Sequence, residues 1–357
     1  IKQPIKAYVA YTLLDQSELL QTQPYSMNGN CSTLYSQKKF KESYECYEQL
    51  SSSSLNKNNA GLVQYRANMA SLRFQNSASL IENFAQLESI FPDTEPGYRS
   101  ALKKTDLILL QNRSRSRWAL DNYKDVSDNS ILRSTVEEAL FKQALIHSML
   151  GQNDKSVALL QKLLREFRHG NIISSAQALL IQLLPGEIKR LVDENNYLNA
   201  LVLAKQNKEL FQKNWINSKY LVDIADAYSK IGINNEAQRL YLYLIEIVPV
   251  NEKEQFYLPL ITAAYNHGSY SLVEDYAAQY TYNYPNGKFY DAILYYRLHA
   301  LVGEERIDDA LSLLPLPLLG YEKIYNLAAS LFYRTENYDR SLSVFRILLQ
   351  SNLTMTP

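Results

Sequence analysis

Residues 221–249, LVDIADAYSKIGINNEAQRLYLYLIEIVP, contain one complete unit of two helices joined by a short turn. Apolar side chains recur at intervals of three and four on both sides of the turn, which is the pattern of amphipathic helices. Gly232 lies where the chain must turn, because a residue without Cβ adopts left-handed backbone angles without strain. Pro249 lies where the second helix must stop, because proline has no amide hydrogen to donate. The stretch therefore predicts a helical hairpin.

Seven other segments follow the same pattern, which predicts a repeat protein. Each second helix opens on a mostly small or β-branched residue, and these openers are Ser43, Leu80, Ser156, Ala200, Ala237, Val273, Ala310 and Ser341. The steps between them are 37, 76, 44, 37, 36, 37 and 31 residues, so the step of 76 spans one degenerate or missing repeat.

The predicted fold is therefore all-α, a right-handed α-solenoid of stacked antiparallel helix pairs with about 8 to 9 repeats. We expect an N-terminal helical region with irregular repeats over residues 1–130. A regular solenoid follows over 131–357, most simply as part of one continuous array. Within the first region, residues 5–20 carry a helical apolar stripe that could cap the first repeat or dock on a neighbouring molecule.

The order of residue types in these units resembles the tetratricopeptide repeat. A second clear copy carries the order aromatic, small, glycine, aromatic, small, aromatic and proline on Tyr257, Leu260, Ala264, Gly268, Tyr270, Val273, Ala277, Tyr280 and Pro285. The resemblance covers residues 34–55 and 136–350 well. It implies a scaffold that binds other proteins and has no chemistry of its own. Arg168 stands where proline is usual, and Asn195, Glu305 and Glu336 replace the turn glycine, which predicts altered turns in those units.

The junctions between repeats carry a narrower resemblance. The segments FPD at 91–93, FRHGN at 167–171 and YPNGKFY at 284–290 are similar to the connector of exported bacterial envelope proteins with these repeats. A helix stop followed by a fresh helix start also explains them. A chain that begins with Ile1 instead of methionine suits a processed mature protein. We therefore expect an exported protein, periplasmic and outer-membrane-associated or extracellular.

The charge distribution suggests no nucleic-acid partner. Lysine and arginine number 37 against 37 acidic residues, so no overall field attracts a polyanion. Arg113, Arg115 and Arg117 alternate with serine and could meet an anionic partner. The favoured interpretation is a solvated helix end or loop in which the arginines pair with the nearby acidic residues Asp121, Asp125 and Asp128. No transmembrane segment is expected, because the apolar run at 311–319 is short and contains two prolines.

No pattern in the sequence predicts catalysis, a cofactor or a metal site. The four histidines, His147, His169, His267 and His299, are far apart, and none belongs to a metal-binding spacing. The acidic residues Glu304, Glu305, Asp308 and Asp309 fit a solvated helical turn, with weak calcium binding as a remote alternative. We expect the protein not to be an enzyme.

Two interpretations remain open for the only cysteines, Cys31 and Cys46. The repeat register places them on the first and second helices of one hairpin, where the side chains could approach. They could form a disulfide, which would favour an oxidising compartment. They could equally be two small buried thiols that fill tight helix contacts.

Tyrosine is the compositional outlier, with 28 residues. Many occupy buried repeat positions, but others should face the concave side of the last repeats, where rigid aromatic rings with polar tips suit a protein interface. The predicted partner-binding groove consists of Asp223, Asp226, Lys230, Tyr265, Asn266, Tyr295, Tyr296, His299, Tyr333 and Arg334. A protein or peptide bound in this groove is the leading hypothesis. The alternative is a structural subunit that assembles end to end with other copies into an extracellular filament.

Overall fold

The computed structural model describes residues 4–14, 23–51, 55–75, 77–314 and 324–350. These residues form α-helices joined by turns, with two short 3₁₀ helices and no strand, which confirms the all-α prediction. The first helices are α1 (Pro4–Leu14), α2 (Pro24–Ser36), α3 (Phe40–Ser51), α4 (Lys57–Ser71), α5 (Ser77–Ile90), α6 (Glu95–Gln111), α7 (Ser116–Asn129), α8 (Arg133–Met149), α9 (Asn153–Glu166) and α10 (Ile173–Asp193). They are followed by α11 (Tyr197–Gln206), α12 (Lys208–Gln212), α13 (Leu221–Lys230), α14 (Asn234–Ile247), α15 (Val250–Asn266), α16 (Tyr270–Asn283), α17 (Tyr290–Gly303), α18 (Ile307–Ser312), α19 (Tyr325–Arg334) and α20 (Tyr338–Gln350).

The chain divides into two compact units, residues 1–184 and 185–357. This division by packing does not coincide with the change from irregular to regular repeats predicted at residue 130. Within the first unit, consecutive helices from α2 to α9 pack on one another, and α6 also contacts α4 and α8. Within the second unit, α13 to α18 pack in the same consecutive way, and α15 also contacts α17. Each unit is thus a stack of helix pairs.

The openers of the second helices are all buried, with at most 3% of their surface exposed. Ala119 on α7 supplies the opener missing from the 76-residue step, because it lies 39 residues after Leu80 and 37 before Ser156 and is fully buried. Helices α6 and α7 are therefore the degenerate repeat, and a 3₁₀ turn at Arg113–Arg115 replaces the glycine turn. A small buried residue, serine or alanine, at most of these openers lets the two helices approach closely.

The turns that lack glycine are not altered, contrary to the sequence-based expectation. Asn195, Glu305 and Glu336 have φ of 59°, 62° and 61°, and the turn glycines Gly232 and Gly268 have φ of 83° and 81°. The same left-handed turn thus forms with or without glycine. Packing of the two flanking helices compensates for the strain that a Cβ atom introduces in this conformation.

Each of two junctions between repeats is held by a glutamate from the preceding first helix. The carboxylate of Glu254 accepts hydrogen bonds from the Lys288 amide at 2.8 Å and from the Tyr280 hydroxyl at 2.9 Å. The Tyr280 hydroxyl in turn accepts from the Phe289 amide at 3.0 Å. Burial is the main cause that raises the pKa of Tyr280 to about 12. The start of the next helix is therefore fixed by side chains of the repeat before it.

The first unit repeats this arrangement 117 residues earlier. Glu137 is buried and accepts from the amides of Ile172 at 2.8 Å and Asn171 at 3.3 Å. The turn is the same in both junctions, because Gly170 donates to the Phe167 carbonyl as Gly287 donates to the Tyr284 carbonyl. The similar connectors recognised in the sequence thus share one backbone geometry in these two places.

The arginine-rich segment is a solvated loop, but its predicted ion pairs do not form. Arg113, Arg115 and Arg117 are exposed, and none forms an ion pair with another described residue. Lys124 pairs with Asp128 at 3.2 Å, and Asp125 accepts from Asn129 at 2.8 Å. Asp125 and Asp128 therefore interact with residues one helical turn away and not with the arginines.

Some sequence predictions extend beyond the described residues. Helix α1 covers the first part of the apolar stripe predicted at 5–20, and residues 15–20 of that stripe lie outside the described ranges. The same holds for residues 315–319 of the short apolar run. In the ranges that the structure describes, no helix is long and apolar enough to cross a membrane.

Candidate protein-binding surface

Five aromatic side chains of the second unit form one continuous surface patch. Tyr265 lies near the end of α15, Tyr270 begins α16, and Tyr295, Tyr296 and His299 lie on α17. We call these five residues the tyrosine cluster. The Tyr265 ring lies 5.3 Å from that of Tyr296 and 5.6 Å from that of Tyr270, and the Tyr295 ring lies 4.3 Å from that of His299. These tilted contacts are the geometries that aromatic quadrupoles favour.

The polar tips of the central rings have no hydrogen-bonding partner in the described part of the chain. Among the described residues, the hydroxyls of Tyr265, Tyr295 and Tyr296 and the ring nitrogens of His299 form no hydrogen bond. Burial raises the pKa of Tyr265 and lowers that of His299. Both directions favour the uncharged form of Tyr265 and of His299 at neutral pH.

The helices beneath the patch hold these rings in place. On α17, Leu294 and Leu298 are buried, whereas Tyr295, Tyr296 and His299 of the same helix are half-buried. Arg297 makes a bidentate ion pair with Glu274 of α16, with N–O distances of 2.8 and 2.5 Å. Such fork-shaped pairs are the geometrically specific ones. The patch is thus a preorganised surface, which lowers the entropy lost when a partner binds.

Sequence reasoning named four members of the cluster and missed Tyr270. This side chain packs against Gly303, where an added Cβ would lie 2.7 Å from the ring. Gly303, a small residue at the end of α17, was the only signal in the sequence for this contact, which joins positions 33 residues apart. The close approach of Tyr270 and Gly303 can be recognised only when the packing of the two helices is known.

The remaining residues of the predicted groove are not part of the cluster. Asp226 accepts a hydrogen bond of 2.5 Å from the Tyr241 hydroxyl inside its own repeat. Asp223 lies 3.9 Å from Lys189, and burial raises the pKa of Asp223. The other predicted residues, Lys230, Asn266, Tyr333 and Arg334, are exposed. Tyr333 has ring contact with Tyr338, at 5.5 Å, so it belongs to a separate aromatic pair.

The two cysteines face each other across the first hairpin. Cys31 on α2 and Cys46 on α3 have their sulfur atoms 2.08 Å apart, which is a disulfide. Both are buried beside Tyr47 and Leu50. The pair closes a loop of 15 residues.

No metal-binding arrangement accompanies these features in the described ranges. Within them, no three histidine, cysteine, aspartate or glutamate side chains are placed to hold a metal ion. Two of the four acidic residues at the predicted solvated turn pair with Arg306: Asp309 at 2.7 Å and Glu304 at 3.3 Å.

Comparison with known proteins identifies one repeat directly. Residues 138–169 match the family model described as Tetratricopeptide repeat, which confirms the resemblance seen in the sequence. This segment covers most of α8 and all of α9. A search of curated proteins finds no match.

Solved structures with a similar arrangement of helices are distant. The apo form of RapI is 13% identical, with a TM-score of 0.37 over 92% of this chain and 99% of that one. A tetratricopeptide repeat protein from Parabacteroides merdae ATCC 43184 is 14% identical, with a TM-score of 0.33 over 80% and 98%. The TPR2AB domain of yeast Sti1, in complex with pHSP90, is 11% identical, with a TM-score of 0.35 over 81% and 96%. At these identities and TM-scores the similarity does not indicate a function for this chain.

Proposed function

We propose that this chain, a stack of helix pairs of the tetratricopeptide kind, is a non-catalytic scaffold that binds a protein or peptide on the tyrosine cluster. The observation that carries this proposal is a patch of contacting aromatic rings whose polar tips have no partner among the described residues. Tyrosine combines a large apolar face with a hydrogen-bonding tip and loses little rotamer entropy on binding. These properties are typical of interface hot spots.

The chemistry of the patch favours a particular kind of ligand. The rings of the cluster present apolar faces, so apolar and aromatic side chains of a partner would pack on them. Backbone amides or carbonyls of the same segment would reach the hydroxyl tips of Tyr265 and Tyr296. We therefore expect an extended peptide or one face of a helix with few acidic side chains at the contact.

A peptide-display selection on the immobilised chain tests the proposal. Selected peptides should bind the double variant Tyr265→Ala/Tyr296→Ala at least about tenfold more weakly, because two hot-spot rings are removed. Tyr282→Ala is the matched control, since Tyr282 is 88% exposed and lies outside the cluster. Tyr296→Phe separates the contribution of the hydroxyl from that of the ring. Equal binding to the double variant and to the control would refute the cluster as the binding site.

We also propose that the protein is exported. The support is the disulfide between Cys31 and Cys46, because such bonds persist in oxidising compartments and are rare in the cytosol. Mass spectrometry of protein purified from its native source without reductant, after alkylation of free thiols, tests this. A mass without added alkyl groups supports export, and two alkylated cysteines contradict it.

Self-assembly is a second candidate function, and the last helix supports it. Tyr338, Leu342, Phe345 and Leu349 form an exposed stripe on α20 with helical spacing of four, three and four. In the repeat of α13 and α14 the positions that correspond to Phe345 and Leu349 are buried: Tyr241 is 2% exposed and Ile245 8%, against 38% for Phe345 and 72% for Leu349. A second copy of the chain that packs on this stripe would cover it.

Light scattering after size-exclusion chromatography tests this candidate. Leu342→Glu/Leu349→Glu should lower the average mass of any assembly, because charges would be buried at the contact. The matched control is Leu198→Glu/Val202→Glu, which places the same two charges on exposed apolar positions of α11. A monomer at micromolar concentration in the unchanged protein would exclude assembly through α20.

A further inference from the structure

A cavity of about 550 Å³ opens in the first unit between the start of α8 and the junction that follows α9. Four of its lining side chains are basic in type: Arg133, Arg165, Arg168 and His169. The cavity belongs to a different unit from the tyrosine cluster, and its role is independent of the function proposed above. Its size is in the range of ordinary small-ligand sites.

The acidic group at the base of the cavity is hydrogen-bonded to the backbone. Glu137 is 3% exposed, and its two carboxylate oxygens accept the amides of Ile172 and Asn171. Gly170 lies so close to this carboxylate that an added Cβ would overlap it. Glu137 is therefore held inside the junction by the backbone, whereas the basic side chains of the cavity lie outside it.

Two of the arginines and the histidine have no partner of their own. Arg133 donates to the Glu166 carbonyl and lies 4.9 Å from the centre of the Phe167 ring, which fixes its guanidinium at the cavity wall. The side chains of Arg165, Arg168 and His169 are exposed and form no hydrogen bond or ion pair with the described residues. Glu166 is the one free carboxylate among the lining side chains.

The second unit shows that the fold does not require these basic side chains. At 117 residues further along, the junction has the same glutamate, the same glycine and the same turn, as Glu254 and Gly287 show. The four basic residues are replaced there by Val250, Tyr282, Pro285 and Asn286. The junction therefore folds with either set of side chains.

We propose that this cavity binds an oxyanion, a phosphate or carboxylate group, between the guanidinium groups of Arg165 and Arg168. Guanidinium presents planar pairs of N–H donors that match two oxygens of such a group. Arg133 supplies a third positive charge from the wall. Because the whole chain has no net charge, the attraction is local to this cavity.

Isothermal titration at low ionic strength tests the proposal on the full chain. Inorganic pyrophosphate and an N-acetylated tetraglutamate peptide are the two probes, and the one that saturates with the higher affinity identifies the source of the anion. Arg165→Gln/Arg168→Gln should weaken that binding about tenfold or more, because charge-assisted hydrogen bonds are lost. Glu166→Gln should strengthen it, since a repelling carboxylate is removed.

The control variant is Arg113→Gln/Arg115→Gln, which removes the same two charges from an exposed loop of the same unit. It should bind the probe within about twofold of the unchanged protein if the cavity is the site. Thermal melts followed by circular dichroism verify that all variants fold. The proposal is overturned if neither probe saturates, or if the control loses as much affinity as Arg165→Gln/Arg168→Gln.

Discussion

The hydroxyl of Ser156 donates a buried hydrogen bond of 2.8 Å to the backbone carbonyl of Ala144, which lies 12 residues earlier on the facing helix. Ser43 and Ser341 make the same bond over the same separation, to the carbonyls of Cys31 and Ala329. All three serines are openers of second helices. The bond therefore fastens the two helices of a repeat wherever this position is serine.

Ser156→Ala should reduce the free energy of unfolding by about 1 kcal/mol, because one buried hydrogen bond is lost without a change in packing. Alanine fits this position, as the fully buried openers Ala237 and Ala310 show. Urea denaturation measures the effect. Ser343→Ala is the control, because its hydroxyl bonds locally to the Arg340 carbonyl on an exposed face. A larger loss in the control would contradict this account.

Gly287→Ala should destabilise the second unit by roughly 1–3 kcal/mol, as overpacking does. An added Cβ would lie 2.7 Å from a carboxylate oxygen of Glu254 and would also overlap the Tyr280 hydroxyl. Gly186→Ala offers the opposite case within a helix, since no atom lies within 4 Å of its Cβ position. That variant should gain about 0.5–1 kcal/mol from helix propensity. Chemical denaturation of both variants should show opposite signs, and equal signs would contradict the argument.

Glu305→Gly should stabilise the protein by about 0.5–1 kcal/mol, because it removes left-handed strain at φ of 62° while adding some unfolded-state entropy. The neighbouring residue Glu304 has φ of −90° and provides the contrast. Glu304→Gly should destabilise, because glycine gains nothing in ordinary backbone angles. Thermal denaturation compares the two, and a lower melting temperature for Glu305→Gly would refute the role of strain.

Replacing both Cys31 and Cys46 by alanine should lower the free energy of unfolding by around 3 kcal/mol, the chain-entropy value for a loop of about 15 residues. The disulfide acts by restricting the unfolded chain. The first unit should therefore melt at a lower temperature, and reductant should reproduce the shift in the unchanged protein only. If reductant leaves the unchanged protein unaffected, the bond does not stabilise the fold.

Stability should depend on pH through His299, whose pKa is lowered in the folded chain by burial. The unfolded chain then binds the proton more readily, so stability is full above the unfolded pKa of about 6.5 and declines as pH falls below it. His299→Gln should reduce this decline between about pH 7 and 5. His267→Gln is the matched control, because His267 is exposed. Urea midpoints at both pH values measure the difference, and equal slopes in all three proteins would contradict it.

Local residue patterns were sufficient to predict the helices and their pairing. The interval of three and four defines each apolar face, and the regular step places the small openers that the structure shows to be buried. The degenerate repeat was also predictable from the width of one step, although its opener Ala119 was not identified. The left-handed geometry of the turns at Asn195, Glu305 and Glu336 was not predicted. A left-handed turn normally favours glycine, and only helix packing overcomes that preference.

The surfaces were predicted less completely. Four members of the tyrosine cluster could be predicted from the repeat register, because the direction in which a side chain points from its helix is a local property. Tyr270 was not identified, although it lies only five residues after Tyr265 across the turn between α15 and α16. The basic cavity could not be predicted, because its side chains meet across more than 30 residues. The junction glutamates show the same limit: Glu137 bonds to amides 34 and 35 positions later.

The sequence by itself determined that the protein is all-α, built from repeated helix pairs whose openers are small and buried. These properties follow from interactions within about one helical turn or one hairpin. Only the tertiary structure decided which rings form one cluster and which carboxylates accept hydrogen bonds from junction amides. It also decided which exposed arginines lie around one cavity. The reason is physical: stacking brings one repeat against the next, and the resulting contacts depend on the exact angle and distance between helices.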